Sequence, residues 1–172
     1  TLACYEDDVA AISDLLQEGA SVDQQDDDGY TPLFVASLKG HVDAARLMLD
    51  AGAAIDKRRE GDWSPFGIAC ALGHVAVATL LLERGAALDL CLDGTTPLRL
   101  ACRNRNLDTM RLCLDHGADV NCADKDGTTI LYDVCKNGSV GVVRLLLERG
   151  AVVYSSSLCE GDRVEASYHG RN

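Results

Sequence analysis

The stretch TPLFVASLKGH, Thr31 to His41, returns three times along the chain, as SPFGIACALGH at 64–74, TPLRLACRNRN at 96–106 and TILYDVCKNGS at 129–139. Between the copies lies a second recurring mark, an apolar run that ends in Gly-Ala. It falls at Gly19, Gly52, Gly85, Gly117 and Gly150, at intervals of 33, 33, 32 and 33 residues. Self-similarity at this period describes a stack of one supersecondary unit, so function is expected on a surface shared by the units and not in a single cleft.

Each copy opens on a hydroxyl residue followed by Pro or Ile and then an apolar run. The hydroxyl can accept from an unpaired amide of the first helical turn, and Pro at the first position gives up a donor that had no partner. A short helix is therefore predicted to start at Thr31, Ser64, Thr96 and Thr129 and to stop near Gly40, Gly73 and Gly138, where glycine can close a helix in the left-handed conformation. A second helix follows at once, with apolar residues at helical spacing in VDAARLMLDAG, VAVATLLLERG, LDTMRLCLDHG and VGVVRLLLERG. About ten residues with little periodicity come next, such as ASVDQQDDDG at 20–29, and read as an extended hairpin finger.

These residues resemble the ankyrin repeat family. The likeness rests on the period, on D-G-x-T-P-L at 28–33 and 93–98, and on G-A-D-V-N at 117–121. It implies an all-α solenoid of helix-turn-helix units with projecting β-hairpin fingers, the finger tips and inner helices lining a concave surface that grips other proteins. The copies divide the chain into one array over 1–155, with a partial unit at 1–24 and full units at 25–57, 58–89, 90–122 and 123–155. Residues 156–172 read as a partial repeat or a fraying end.

Departures from the family pattern are as informative. Phe34, Gly67, Arg99 and Tyr132 stand where the family has His after T-P-L, so the hydrogen bond that tethers neighbouring units is absent or differently made. Gly61 lies one place early with Asp62 at the turn, the finger before Gly94 is one residue short, and Gly67 within a helix is expected to cost about 1 kcal/mol relative to Ala. His41 and His74 share a structural slot in which the family resemblance assigns hydrogen bonds within the loop, and Asn121 is expected to hold its finger's turn.

The 172 residues carry a formal net charge of −11, unevenly placed. Residues 1–30 hold nine acids and no Lys or Arg, while the rest of the chain is near balance. Nucleic acid is not an expected partner of such a surface. No apolar run is long enough to span a bilayer. Of the eight cysteines, Cys4, Cys70, Cys102 and Cys135 share one slot with Ser37, and Cys113 takes a core position of the second helix. Without a C-x-x-C pair, these read as small core residues and not as zinc ligands, and free thiols point to an intracellular setting, cytoplasmic or nuclear. The chain begins without Met and within a unit, which suggests a piece of a longer protein.

No arrangement for catalysis survives inspection, and no cofactor or metal is expected. A binding module without enzymatic activity, acting as a monomer, is the leading reading. The family's ligand-facing positions carry over to Asp27, Asp28, Tyr30, Lys39, Arg58, Glu60, Trp63, Leu72, Leu92, Arg103, Asn104 and Lys136. Arg99 joins them for its place in a run of basic residues. Tyr30 and Trp63 occupy equivalent places, and large aromatics beside charges are common interface anchors, although both could instead prop their own fingers. Asp26–Asp28 followed by Lys57–Arg59 and then Arg99, Arg103 and Arg105 give tips of changing sign, which would orient a charged ligand. Two alternatives stand beside a general protein or peptide partner: a basic or methyl-lysine tail held by Tyr30, Trp63 and nearby acids, and a docking or regulatory role within a larger enzyme, channel or ubiquitin ligase.

Overall fold

The computed structural model describes residues 1–58, 63–89, 94–137 and 139–153. Glu60 and Leu92, the Gly61-Asp62 turn, the short finger before Gly94, the stop at Gly138 and the tail at 156–172 fall outside the described residues. Among those described, ten helices form five pairs. The first helix of each pair is α1 (Leu2–Glu6), α3 (Pro32–Lys39), α5 (Pro65–Leu72), α7 (Pro97–Arg103) or α9 (Ile130–Lys136). The second is α2 (Val9–Gln17), α4 (Val42–Asp50), α6 (Val75–Glu83), α8 (Leu107–Asp115) or α10 (Val140–Glu148). First helices touch first helices in chain order, and α2, α4, α6 and α8 do the same in the second row. Packing is thus by nearest neighbours, as the repeat demands.

The predicted start signals are used as such. The side-chain oxygens of Thr31, Ser64, Thr96 and Thr129 accept from the amides of Phe34, Gly67, Arg99 and Tyr132 at 3.2, 3.1, 3.3 and 3.4 Å. Such a cap is worth about 1 kcal/mol against Ala. Gly40 and Gly73 close α3 and α5 with φ 78° in each case. The fourth unit differs, because Arg105 stands in the glycine slot and takes φ 59° itself. A side chain held in that region costs on the order of 1 kcal/mol.

The core is built from the same slots in successive units. Leu33, Phe66, Leu98 and Leu131 are buried after each cap, Ala36, Ala69, Ala101 and Val134 lie one turn on, and Met48, Leu81, Cys113 and Leu146 close over them from the second helices. The small residues in the middle column leave room for the helices to approach.

Cys4, Cys70, Cys102 and Cys113 are buried and unbridged, as core residues should be. Cys135 is the exception, since it is exposed. Each earlier member of its column is covered by the following unit, and no described helix follows α10. The Cys70 and Cys113 sulfurs lie 3.7 Å apart, and the contact raises the Cys70 thiol well above its usual range. Burial pushes Cys102 up to about 12. Thiolate, the reactive form, is therefore suppressed inside. Alkylation followed by peptide mass mapping should label Cys135 before Cys70, Cys102 and Cys113, which are reached only on unfolding. Early labelling of Cys70 would contradict this packing.

The fingers are held by turns, and no strand forms among the described residues; an antiparallel bridge joins Ala123 to Thr129. Asp26 and Asp124 do equivalent work here. Asp26 Oδ1 accepts from the amides of Asp28 and Tyr30 at 3.1 and 2.8 Å, and Asp124 Oδ1 from those of Asp126 and Thr128 at 3.0 and 2.9 Å. A carboxylate that mimics a backbone carbonyl organises each tip.

Candidate functional site

The face made by the fingers and the first helices carries a second apolar cluster, separate from the main core. Phe34, Ile68, Ala71 and Leu100 are buried there, and Tyr30, Leu38 and Trp63 pack against them while staying half exposed. Phe34 stacks on Tyr30 with ring centroids 4.9 Å apart and planes 9° from parallel. Phe34 thus covers the neighbouring helix, and one face of Tyr30 is taken. Gly67 serves Trp63. A Cβ at Gly67 would lie 3.3 Å from Trp63 Cβ, so the helix-weakening glycine leaves the space that the indole stem uses.

Beyond this cluster the ends of the first helices form a row. Leu72 is 48% exposed. Arg103, Asn104 and Lys136 are exposed as well, whereas the Lys39 ammonium sits over the Tyr5 ring, 3.7 Å from its centroid. Asn104 turns its amide back to the Leu100 carbonyl at 3.1 Å. Asp27 and Asp28 are exposed at their tip, and Arg58 is half-buried. Asp26 and Lys57 are committed to structure, the latter through a 3.3 Å bond from Nζ to the Asp23 carbonyl. The change of sign along the fingers therefore has fewer members than the sequence suggests.

Arg99 has to be withdrawn from the exposed set. Its side chain is 1% exposed, and Nη1 meets Asp133 Oδ2 at 2.5 Å and Asp124 Oδ2 at 3.4 Å. Nη2 donates to the Cys122 carbonyl at 3.2 Å and to the Thr128 carbonyl. All of these acceptors but the Cys122 carbonyl, which closes its own unit, belong to the next unit. Arg99 thus supplies, by a guanidinium fork, the tether between units for which its slot is otherwise used, because only a long planar donor set can satisfy two carboxylates and two carbonyls at once. The sequence hint was Asp133 two places past Ile-Leu, in a slot that is apolar in the other full units.

Polar columns join the other units. His41 Nδ1 lies 3.0 Å from the Cys4 carbonyl and His74 Nε2 3.1 Å from the Leu38 carbonyl. Asn106 Nδ2 donates to the Ala71 carbonyl at 2.7 Å and more weakly to that of Cys70 at 3.3 Å. The histidines therefore bridge to the preceding unit and do not bond within their own loop. In the finger column, Asp23 and Asp56 accept from the amides of Ala54 and Ala87, and Asn121 Oδ1 from Val152 at 2.8 Å. Asn121 clasps the next unit, while Asp119 holds the turn by accepting from the Asn121 amide at 2.9 Å.

A family model of ankyrin repeats, three copies long, matches residues 1–91 and residues 87–157. The chain belongs to the ankyrin repeat family. No curated protein matches it. Ankyrin repeats are in general protein-interaction modules and typically non-catalytic. No described helix is long and apolar enough to cross a membrane.

Proposed function

We propose that this ankyrin array binds a protein or peptide across its finger and first-helix face, without catalysis, through Tyr30, Trp63, Leu72, Arg103 and Lys136, flanked by Asp27, Asp28, Lys39, Arg58 and Asn104. The observation that carries the reading is the second apolar cluster. Phe34, Ile68 and Leu100 form a rigid base, and Tyr30 and Trp63 complete it with half-exposed rings, beside an exposed Leu72. Ordered aromatics of this kind bury large area at little entropic cost, which is the usual make-up of an interface anchor.

A basic or methyl-lysine tail is the weaker reading. Phe34 already occupies one face of Tyr30, and the row of first-helix ends is basic at Arg103 and Lys136. An acidic partner suits that row better.

The test is capture of partners by the 172-residue chain and its variants. Trp63→Ala is expected to weaken capture by about 2 kcal/mol, roughly 30-fold. Because Trp63 also packs inward, Leu72→Asp serves as a second variant that leaves the core untouched, and Arg111→Ala, at an exposed position of α8, serves as the control. If Leu72→Asp and Trp63→Ala retained full capture with the fold intact, the partner would lie elsewhere.

A further inference from the structure

The column that ties each unit to its predecessor reads His41, His74, Asn106 and Ser139, and it breaks at its last member. The first three reach a carbonyl of the preceding first helix. Among the described residues the Ser139 side chain makes no hydrogen bond; like His41, His74 and Asn106 it does not cap its own helix. Serine is two to four heavy atoms shorter than its equivalents. Where an imidazole or amide would lie there is instead a cavity of about 300 Å³, lined by Cys102, Arg103, Arg105, Val134, Asn137 and Ser139.

The charge around this cavity has one sign. Arg103 has no ion pair among the described residues, and Arg105 makes a single long bond, 3.4 Å from Nη2 to the Asn137 carbonyl. The nearby acids are already engaged: Asp133 and Asp124 pair with Arg99, and Asp124 also accepts from the amides of Asp126 and Thr128. Arg105 itself holds φ 59° in the slot that is glycine at Gly40 and Gly73, where a Cβ would run into His74 and Asn106. The short Ser139 presents no such side chain to Arg105.

We propose that this cavity is an oxyanion socket, which receives a carboxylate from an acidic segment of the protein bound on the finger and first-helix face. The proposal rests on the binding function above and names the chemistry of its partner. The Arg103 and Arg105 guanidinium groups and the Ser139 hydroxyl, all in the cavity lining, are the donors available to the carboxylate. The uncapped amides at the start of α10 add a favourable dipole, with open space above Gly141. A net charge of −11 on the whole chain repels acidic ligands in general, so affinity for one has to come from a local site of this kind.

The full chain is titrated with a capped hexaglutamate peptide while backbone amide signals are followed by NMR. Saturable shifts centred on Ser139, Gly141 and Arg105 are expected, with none from capped hexalysine. Arg105→Gly restores the residue that the turn uses elsewhere and removes one guanidinium, and about tenfold weaker binding is expected. Ser139→Asn places an amide in the cavity and should abolish the shifts; because Arg105 carries a Cβ where Gly73 leaves room for Asn106, no gain in melting temperature is expected from it alone. No saturable shift in the wild type, or equal binding by both variants, would overturn the socket. Inorganic phosphate saturating the same amides at lower concentration than the peptide would overturn the carboxylate assignment. Trp63→Ala separates the two proposals. Hexaglutamate shifts that survive in a protein whose partner capture never depended on Trp63 or Leu72 would leave the socket standing and the wider face refuted; capture that depends on Trp63 without any response to hexaglutamate would do the reverse.

Discussion

Replacing Arg99 with Ala is expected to lower stability by about 3 kcal/mol, and the loss should appear first in the fifth unit. Removing one member of a buried ion pair typically costs about 3–5 kcal/mol, because the partner charges remain desolvated. The lower end applies here, since the Asp124 and Asp133 side chains retain 16% and 24% exposure and can regain some water. The Cys122 and Thr128 carbonyls also lose a donor. Because units contact only their neighbours, hydrogen exchange should quicken in α9 and α10 while α3 to α6 keep their protection. Pairing Arg99→Met with Asp133→Asn should restore part of the loss, the sign of a true charge coupling. The effect has a pH signature as well. Backbone donation from Thr128, together with Asp126 and Arg99, holds the Asp124 carboxyl below its usual value. A depressed carboxylate contributes stability that is present above its unfolded value and lost as pH falls through the folded one. The gap between wild type and Arg99→Ala should therefore be full near neutrality and shrink in acid. Equal denaturation midpoints at neutral pH would show that the fork is not a tether.

Phe66→Ala should cost more, about 4 kcal/mol, and the loss should spread through the array. Phe66 is fully buried in α5, which packs against both α3 and α7. A Phe-to-Ala change in such a site removes about 3–5 kcal/mol through lost transfer energy and an unfilled cavity. Domains of ordinary stability have only about 5–15 kcal/mol in all. A weakened middle unit also uncouples the units on either side, so urea unfolding should broaden or split, where Arg99→Ala mainly frays one end. Tyr132→Ala provides the scale. Tyr132 is 54% exposed in the slot equivalent to Arg99, and its loss should lie within about 0.5 kcal/mol of wild type. A single sharp transition for Phe66→Ala at an unchanged midpoint would contradict the stacked core.

The repeat was legible because its local physics is self-contained. Thr31, Ser64, Thr96 and Thr129 cap their helices through atoms three residues away, so sequence spacing suffices to name them. The apolar columns follow from helical spacing in the same way. Cys135 shows the limit of that logic, since its slot is that of Cys70 and Cys102 and its exposure is not. Slot identity describes one unit, whereas burial depends on the next.

The candidate surface was less readable for the same reason. Tyr30 stacks on Phe34 of its own unit, but the cluster that Tyr30 and Trp63 join gathers Phe34, Ile68 and Leu100 from three successive units, and that gathering carries no sequence signal of its own. Arg99 sat in a run of basic residues that suggested a surface, and only the arrival of Asp124 and Asp133 from the next unit made it interior. The cavity beside Ser139 follows the same rule. Its trace was present in the series His41, His74, Asn106, Ser139, but the meaning of the missing length appears only when those side chains are seen to cross to the preceding helix.

By itself the sequence determined the period, the helices and their starts, the small and apolar columns and hence the ankyrin family, all of which rest on interactions within about four residues. The tertiary structure decided which charges are spent on holding units together and which are left exposed. That division is set by distances between residues some 30 positions apart, where spacing along the chain no longer measures proximity.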